Sequence, residues 1–269
     1  MKLVLRQQVF LKDKYLLLEL IGPESFKTAR PGQFLHIRIE DSCDPLLRRP
    51  LSIHDLEEDS QKKQWVCRIA YEIVGKGTML LAEKKPLSQI DALGPLGNGF
   101  DLKKLQRLEK VYLVAGGMGV APLYFLAKKL TQIRKINSGA ETIVLIGAKT
   151  KNQLLREKAF KDLGCSIHLS TDDGSRGFKG KVTDLLKEIL GAREAHESGA
   201  LCACGPKPML AAVAGIAHHA DLPAQVSLEE FMGCGLGACL GCVIRTTSGF
   251  KRICHDGPVF DAQEIIWKD

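Results

Sequence analysis

The first 100 residues alternate short apolar runs with turn signals, which is the pattern of an antiparallel β-domain. Gly22-Pro23 and Pro31-Gly32 mark turns, because glycine and proline interrupt regular structure. The predicted strands are Leu3 to Phe10, Tyr15 to Leu20, Gln33 to Ile39, Leu51 to His54 and Gln64 to Ile73. Their spacing predicts a barrel or a sandwich. The first domain ends in the glycine-rich stretch 94–100, which we interpret as a hinge or as a purely structural connection.

From about Lys110 onward, apolar runs alternate with helical stretches. The predicted strands are Val111 to Ala115, Thr142 to Ala148, Ser166 to Ser170 and Leu201 to Cys204. The predicted helices are Ala121 to Ile133, Asn152 to Leu163, Val182 to Leu190 and Pro208 to His219. This alternation predicts a parallel sheet with crossover helices. The expected fold is therefore an antiparallel β-barrel domain at 1–100, an α/β domain at 101–225 and a small C-terminal module at 226–269.

The composition is that of a globular protein, with 45% hydrophobic and 26% charged residues. No apolar run reaches the roughly 18 to 20 residues that span a bilayer, and the N-terminus shows no signal-peptide pattern. The net charge of +7 comes from basic residues scattered among acidic ones, and no nucleic-acid-binding motif is visible. We therefore expect a cytoplasmic protein that binds neither nucleic acid nor a membrane.

The most informative motif is a group of four cysteines near the C-terminus, spaced C-x4-C-x2-C-x11-C. Its members are Cys234, Cys239, Cys242 and Cys254. The C-x4-C-x2-C run is the plant-type arrangement for a [2Fe-2S] cluster, with a fourth thiolate arriving from further along the chain. Four glycines stand in the same loop, and glycine permits the backbone angles that a loop around two irons needs. The spacing therefore predicts a [2Fe-2S] cluster.

A structural zinc site and disulfides are the two other uses that such cysteines can have. A structural zinc site usually opens with a C-x2-4-C knuckle and does not need a glycine-rich loop. Disulfides belong to oxidising compartments, and the rest of the chain does not indicate one. The remaining cysteines share no ligand spacing and are predicted to be buried small residues: Cys43, Cys67, Cys165, Cys202 and Cys204.

Two stretches of the first domain suit phosphate groups. Arg48 and Arg49 stand at the start of a predicted strand, and the planar guanidinium donates two parallel hydrogen bonds to phosphate oxygens. Ser52 would place a hydroxyl near a flavin ring. The stretch 75–78, Gly-Lys-Gly-Thr, precedes a short predicted helix, whose free N–H groups favour an anion. A solvated arginine pair and a simple turn are the structural alternatives.

The second domain opens with glycines directly after a strand, at Gly116, Gly117 and Gly119, and Pro122 follows. Such glycines let a pyrophosphate approach the backbone, but Pro122 stands where the G-x-G-x-x-G fingerprint has its third glycine. This favours a nucleotide site of another α/β family. Asp172 follows the third strand, where a carboxylate accepts hydrogen bonds from a ribose diol and repels a 2′-phosphate, or simply forms a turn. Gly205 follows the fourth strand at the same predicted sheet edge.

Read in order, these motifs resemble those of the ferredoxin–NADP reductase superfamily. The resemblance rests on RRPLS, GKGT, GPLGNGF, GGMGVAPL, TDDGS and CGPKPM, followed by the cysteine module. The closing segments SLEEFMGCGLGACLGCV and CHDGPVF most resemble the electron-transfer subunits of class 1B dihydroorotate dehydrogenase. The match runs over nearly the whole chain.

The resemblance implies three sets of binding residues and no catalytic nucleophile–base pair. FAD would be held by Arg49, Pro50, Leu51, Ser52, Ala70, Tyr71, Glu72, Gly77 and Thr78. NAD would be held by Gly116, Gly117, Gly119, Pro122, Asp172 and Gly205, and the [2Fe-2S] cluster by Cys234, Cys239, Cys242 and Cys254. Leu51 departs from the wider superfamily, which often has a tyrosine there that stacks on the flavin.

The implied function is electron transfer in pyrimidine (UMP) biosynthesis. Electrons from dihydroorotate would enter at FMN in a separate catalytic subunit, pass through the cluster and FAD, and reduce NAD. The expected assembly is a heterotetramer with two copies of each subunit. The alternatives are an FAD/[2Fe-2S] subunit of an NAD(P)H:ferredoxin oxidoreductase, a sulfide dehydrogenase or a hydrogenase, and a non-catalytic redox-sensing subunit.

Overall fold

The N-terminal domain is a closed six-stranded antiparallel barrel with strand order β1-β2-β5-β4-β3-β6. The computed structural model describes residues 1–59, 64–134, 140–193 and 197–267. The barrel strands are β1 (Lys2–Lys12), β2 (Tyr15–Gly22), β3 (Phe34–Arg38), β4 (Arg49–Asp59), β5 (Gln64–Glu72) and β6 (Gln89–Leu96). A short helix, α1 (Lys76–Ala82), connects β5 to β6. The predicted antiparallel β-domain is thus confirmed as a barrel.

The strand that closes the barrel, β6, was not predicted. It begins beside β1 and runs on along β3, and its last residues are Gly94, Pro95 and Leu96. These belong to the stretch that we interpreted as a hinge, so that interpretation is wrong for its first half. Leu93 pairs with His36 and Leu96 pairs with Phe34, which places Gly94 and Pro95 at a bulge. A bulge tolerates proline because no ladder hydrogen bond is required there.

The second domain contains most of a seven-stranded sheet with order β10-β9-β8-β7-β11-β12-β15, in which β15 (Val259–Asp261) comes from the C-terminal segment. Its strands are β7 (Lys110–Gly116), β8 (Glu141–Ala148), β9 (Ser166–Thr171), β10 (Phe178–Lys179), β11 (Gly199–Cys204) and β12 (Ala224–Ser227). Its helices are α2 (Leu102–Leu105), α3 (Val120–Arg134), α4 (Glu157–Asp162), α5 (Val182–Gly191) and α6 (Lys207–His219). All of these strand pairs are parallel, as predicted. Because β8 and β11 flank β7 on opposite sides, the ligand crevice of such a sheet is expected beside the end of β7.

The predicted helix Asn152 to Leu163 is too long. Lys151–Gln153 forms a 3₁₀ turn, and the α-helix begins only at Glu157. Arg156 separates the two with a left-handed φ of 63°, which no α-helix accommodates. Its guanidinium lies over the Tyr124 ring, 5.0 Å from the centroid, so a tertiary contact accompanies the break.

The C-terminal segment contains a hairpin and a strand that joins the sheet. The hairpin pairs β13 (Val243–Thr246) with β14 (Gly249–Arg252), and β15 (Val259–Asp261) pairs antiparallel with β12. Asn98, directly after the barrel, donates side-chain hydrogen bonds to the carbonyl oxygens of His255 and Asp256, both at 3.1 Å. The connection at 97–99 therefore ties the barrel to the cysteine-bearing segment.

Hydrophobic side chains form one core inside the barrel and one on each side of the large sheet. The core on one side of the sheet continues into the C-terminal segment, because Phe34 of β3, Cys242 and Cys254 belong to the same buried cluster. In the described part of the chain, no helix has the length and apolar character needed to cross a bilayer.

Candidate redox and nucleotide sites

The four predicted cluster ligands lie where backbone N–H groups reach their sulfurs. Cys234 Sγ accepts from Leu236 and Cys239 N–H, both at 3.4 Å. Cys254 Sγ accepts from Gly237 N–H at 3.1 Å. The remaining two sulfurs, of Cys239 and Cys242, accept from the N–H groups of Gly241 at 3.5 Å and of Cys254 at 3.4 Å. Donors of this kind stabilise negative charge on sulfur, which is what a thiolate-bound iron cluster requires.

The loop takes this form because of its glycines. Gly235 and Gly237 have φ values of 71° and 83°, a region that residues with a Cβ rarely adopt. The donated N–H groups of Leu236 and Cys239 lower the pKa of the Cys234 thiol to about 6, whereas burial raises the pKa of Cys254 to about 12. Among the described residues, no three His, Cys, Asp or Glu side chains are grouped to hold a single ion. The assignment of a two-iron cluster rests on the N–H donors and the cysteine spacing.

The other five cysteines are not part of this site. Cys67, Cys165, Cys202 and Cys204 are buried, as predicted. Cys43 is exposed, so the prediction is wrong there; it lies in the connection between β3 and β4, outside the barrel core.

Of the residues of the barrel predicted to bind phosphate, Arg49 and Gly77 come together, whereas Arg48 forms an ion pair with Asp91 at 3.0 Å. The side chain of Arg49, the first residue of β4, lies against Gly77 of α1, so that a Cβ at Gly77 would stand 2.7 Å from its Nε. Thr78 accepts from the N–H groups of Val74 and Gly75 through Oγ1, at 3.0 and 3.2 Å, and so orders the turn before α1. The result is a cationic guanidinium packed against a glycine at the start of α1.

The other proposed FAD residues divide between the two faces of the barrel wall. Tyr71 belongs to the barrel core, where its hydroxyl donates to Gln8 Oε1 at 2.8 Å, and Leu51 packs against the same core. Only the backbone of Tyr71 is therefore available to a ligand on the outer face. Pro50 and Ser52 pair with His36 and Phe34 of β3. The remaining two, Ala70 and Glu72, lie on β5.

A cleft of about 540 Å³ lies where the barrel, the sheet and the C-terminal segment meet. Glu72 lines it from the barrel, and Gly116, Gly117, Gly119 and Gly205 line it from the ends of β7 and β11. The C-terminal segment contributes residues that the sequence did not point to: Glu229, Glu230, Arg245 and Trp267. The cleft coincides with the crevice expected beside β7.

The close approach of two backbone segments explains why position 119, in the turn after β7, is a glycine. A Cβ on Gly119 would stand 1.9 Å from the carbonyl oxygen of Cys204, the last residue of β11. Pro122 lies in the first turn of α3.

Asp172 is exposed directly after β9 and donates its N–H to Ala148 O at 3.0 Å. It shares the carboxyl edge of the sheet with the glycines, two strands away from β7, and does not line the cleft.

One buried polar residue beside the cysteine loop was not singled out from the sequence. His36 is fully buried on β3, and neither ring nitrogen has a hydrogen-bond partner among the residues that the structure describes. Burial lowers its pKa from the usual value. The alternation of β3 shows which side His36 faces, since Leu35 and Ile37 point into the barrel core. Nothing in the sequence indicates that the cysteine loop covers that side.

Comparison with known proteins agrees with this geometry. A family model described as "Iron-sulfur cluster binding domain of dihydroorotate dehydrogenase B" matches residues 229–266. A second, "Oxidoreductase NAD-binding domain", matches residues 113–215. The dihydroorotate dehydrogenase B (NAD(+)) electron transfer subunit of Bacillus caldolyticus is 44% identical over 240 residues, covering 88% of this chain and 87% of the relative. The chain belongs to this family of electron transfer subunits.

Solved structures extend the agreement to the fold. A chain of an NADH-dependent reduced ferredoxin–NADP oxidoreductase, from a study of flavin-based electron bifurcation, has a TM-score of 0.84 and 31% identity. The match covers 98% of this chain and 90% of that one. The ferredoxin–NADP⁺ reductase of Neisseria gonorrhoeae, with bound FAD and NADP, has a TM-score of 0.66, 15% identity, and coverage of 81% and 90%. At that identity, the second likeness shows the fold alone.

Proposed function

We propose that this chain carries electrons between NAD and an FMN-containing dihydroorotate dehydrogenase subunit in pyrimidine biosynthesis. Family membership supports the assignment, and one structural observation carries it. The cysteine loop lies next to the part of the barrel that we assign to FAD: Phe34 and His36 lie under the cysteine segment, while Pro50 and Ser52 pair with them on the next strand. Hydrogen-bonded strands lie about 4.8 Å apart, so the two sites are neighbours.

The division of labour follows from the chemistry of the groups. NAD exchanges two electrons as hydride, the cluster exchanges one at a time, and FAD, when bound, converts between the two. The chain holds them in place: Arg49 and the backbone at Gly77 bind the FAD diphosphate, Gly116 to Gly119 bind the NAD pyrophosphate, and the four cysteines bind the cluster. The proposed parts are accordingly FAD-binding (1–100), NAD-binding (101–225) and cluster-binding (226–269).

Exposed apolar side chains around the cysteine loop support docking of the partner subunit there. Phe231 is 91% exposed and Phe250 is 74% exposed, with Leu236 and Leu240 also exposed beside the ligands. Leu240, Phe250 and Val243 line a shallow hollow of about 430 Å³. Clustered exposed apolar residues mark interaction surfaces. The proposed assembly is a cytoplasmic heterotetramer with two copies of each subunit.

A second candidate function rests on the likeness to the NADH-dependent reduced ferredoxin–NADP oxidoreductase. That chain aligns over almost the full length, so the same arrangement of sites also suits a reductase with a different partner. The higher identity to the dihydroorotate dehydrogenase B subunit, 44% against 31%, favours the first function.

Purification of the native complex tests the choice. We expect a partner that contains FMN to co-purify with this chain, and NADH to form from dihydroorotate only when both subunits are present. FAD and the cluster are assayed on this chain in the same preparation. A different partner, with FAD and the cluster still bound here, would move the chain to the second function.

The role of Asp172 is tested by replacing it with serine. Loss of a ribose hydrogen bond costs about 0.5–1.5 kcal/mol, so we expect KM for NADH to rise roughly 2- to 12-fold, and discrimination against NADPH to fall. Steady-state kinetics with both coenzymes provide the measurement. Asp173→Ser is the matched control, because that carboxylate already accepts from Ser175 N–H and Oγ–H at 2.9 and 2.6 Å. An unchanged coenzyme preference in the Asp172 variant would contradict the assignment.

A further inference from the structure

His36 lies between the proposed flavin site and the cysteine loop. It sits on the outer side of β3, opposite Pro50 of β4, and Phe34 on the same side packs in one cluster with Cys242 and Cys254. Residues two apart on a strand share a face, so the cysteine segment covers both Phe34 and His36.

The contact with the loop is close and depends on glycine. An added Cβ at Gly235 would stand only 2.3 Å from His36 Nδ1. Gly235 joins the ligand Cys234 to Leu236, whose N–H donates to Cys234 Sγ. The imidazole therefore contacts the backbone next to Leu236, whose N–H is one of the donors to the cysteine sulfurs. A shift of the ring would shift this N–H group.

Packing alone does not explain why position 36 is a histidine. The ring is fully buried, and in the described part of the chain both nitrogens lack a hydrogen-bond partner. A neutral imidazole carries one N–H donor and one acceptor, so burying it without partners costs free energy that a phenylalanine would not. His54, the other fully buried histidine of the barrel, differs in that its Nδ1 lies 2.9 Å from Ala121 O.

We propose that His36 is a positioning residue for electron transfer: its ring holds Gly235, and with it the Leu236 N–H that donates to Cys234 Sγ, against the barrel. Hydrogen-bond donors near cluster sulfurs raise the reduction potential, because they stabilise the additional electron. The residue thereby sets both the potential of the cluster and its placement relative to the flavin. This inference rests on the proposed function, since it requires a bound cluster and a bound flavin.

The test uses the complete complex and three variants: His36→Phe, His36→Gln and the control His54→Phe. The midpoint potential of the cluster is measured by EPR-monitored titration with dithionite. The rate of cluster reduction after mixing with NADH is measured by rapid freezing. We expect His36→Phe to lower the potential and to slow cluster reduction about tenfold, in the range typical for partners beyond the ligands. The larger Phe ring would displace the Gly235 peptide. His36→Gln, whose flexible side chain fits beside Gly235 without displacing it, is expected to restore most of both.

The controls separate this inference from the proposed function. His54→Phe is expected to leave the cluster potential unchanged; an equal shift there would overturn the assignment, because the effect would be general to the barrel. Wild-type values in His36→Phe would also overturn it. If the His36 variants fold poorly, Gly235→Ala replaces them in the test, because it displaces the loop from the opposite side. We expect it to shift the potential in the same direction, and no shift would count against the inference. Absence of the cluster or FAD from the wild-type complex would refute the proposed function itself.

Discussion

Replacing Cys239 with serine is expected to abolish the cluster and with it the electron path to the partner subunit. Cys239 is the middle ligand of the C-x4-C-x2-C run, and its own N–H also donates to Cys234 Sγ. A serine hydroxyl is a poor iron ligand compared with a thiolate. We expect the EPR signal of the reduced cluster to disappear and dihydroorotate-dependent NAD reduction to fall by more than the about 10- to 100-fold that loss of an outer partner costs.

Two controls make the result specific. Cys43→Ser removes an exposed cysteine outside the site and is expected to leave both measurements unchanged. NADH oxidation by an artificial two-electron acceptor is expected to survive in Cys239→Ser, because hydride transfer to FAD does not involve the cluster. A Cys239→Ser protein that keeps a wild-type EPR signal would exclude Cys239 as a ligand.

The binding motifs of this chain are easier to predict from the sequence than the features that depend on contacts between distant segments. The cysteine spacing and the glycines after β7 are local patterns, and a local pattern can be recognised in the sequence without knowledge of the tertiary contacts. Strands β7, β8, β9 and β11 were predicted with small errors at their ends, because fully buried strands are continuous apolar runs. The predicted strand Val111 to Ala115, for example, extends by one residue at each end in the structure. The short strands β10 and β12 were not predicted.

Features that depend on distant contacts could not be predicted. Strand β6 contains Gly94 and Pro95, which signal a turn unless the bulge opposite β3 is known. Strand β15 has only three residues and exists because β12 offers it an edge. The role of His36 depends on a loop about 200 residues away in the chain, since only the folded protein places Gly235 on its ring. Such features are set by tertiary packing and not by local propensity.

The three parts of the chain are joined by contacts that hold the sites in register. Asn98 ties the end of the barrel to the loop after Cys254, and the Phe34 side chain extends the apolar core under the cluster ligands. Lys128 of α3 forms an ion pair with Asp55 of β4 at 2.7 Å. Because an electron-transfer chain depends on fixed separations, these contacts between the parts matter as much to function as the ligands themselves.

Replacing Arg49 with alanine is expected to weaken FAD binding about 10- to 100-fold, as follows from the about 1.5–3 kcal/mol of a charge-assisted hydrogen bond. Arg49→Lys keeps the charge but loses the planar fork, so it is expected to recover only part of the affinity. Affinity is measured by titrating FAD into protein from which the flavin has been removed. An Arg49→Ala protein with wild-type affinity would place the diphosphate elsewhere.

Gly77→Ala tests the same site without removing any charge. The new Cβ would stand 2.7 Å from atoms of the Arg49 guanidinium, which is the mobile end of a long side chain and moves aside at little cost. We therefore expect Tm of the flavin-free protein to change little while FAD affinity falls, because Arg49 is displaced from the phosphate. Gly75→Ala is the matched control: its Cβ meets nothing within 4 Å, and its φ of 178° suits any residue. Equal affinity in the two glycine variants would show that Arg49 and Gly77 do not act together on FAD.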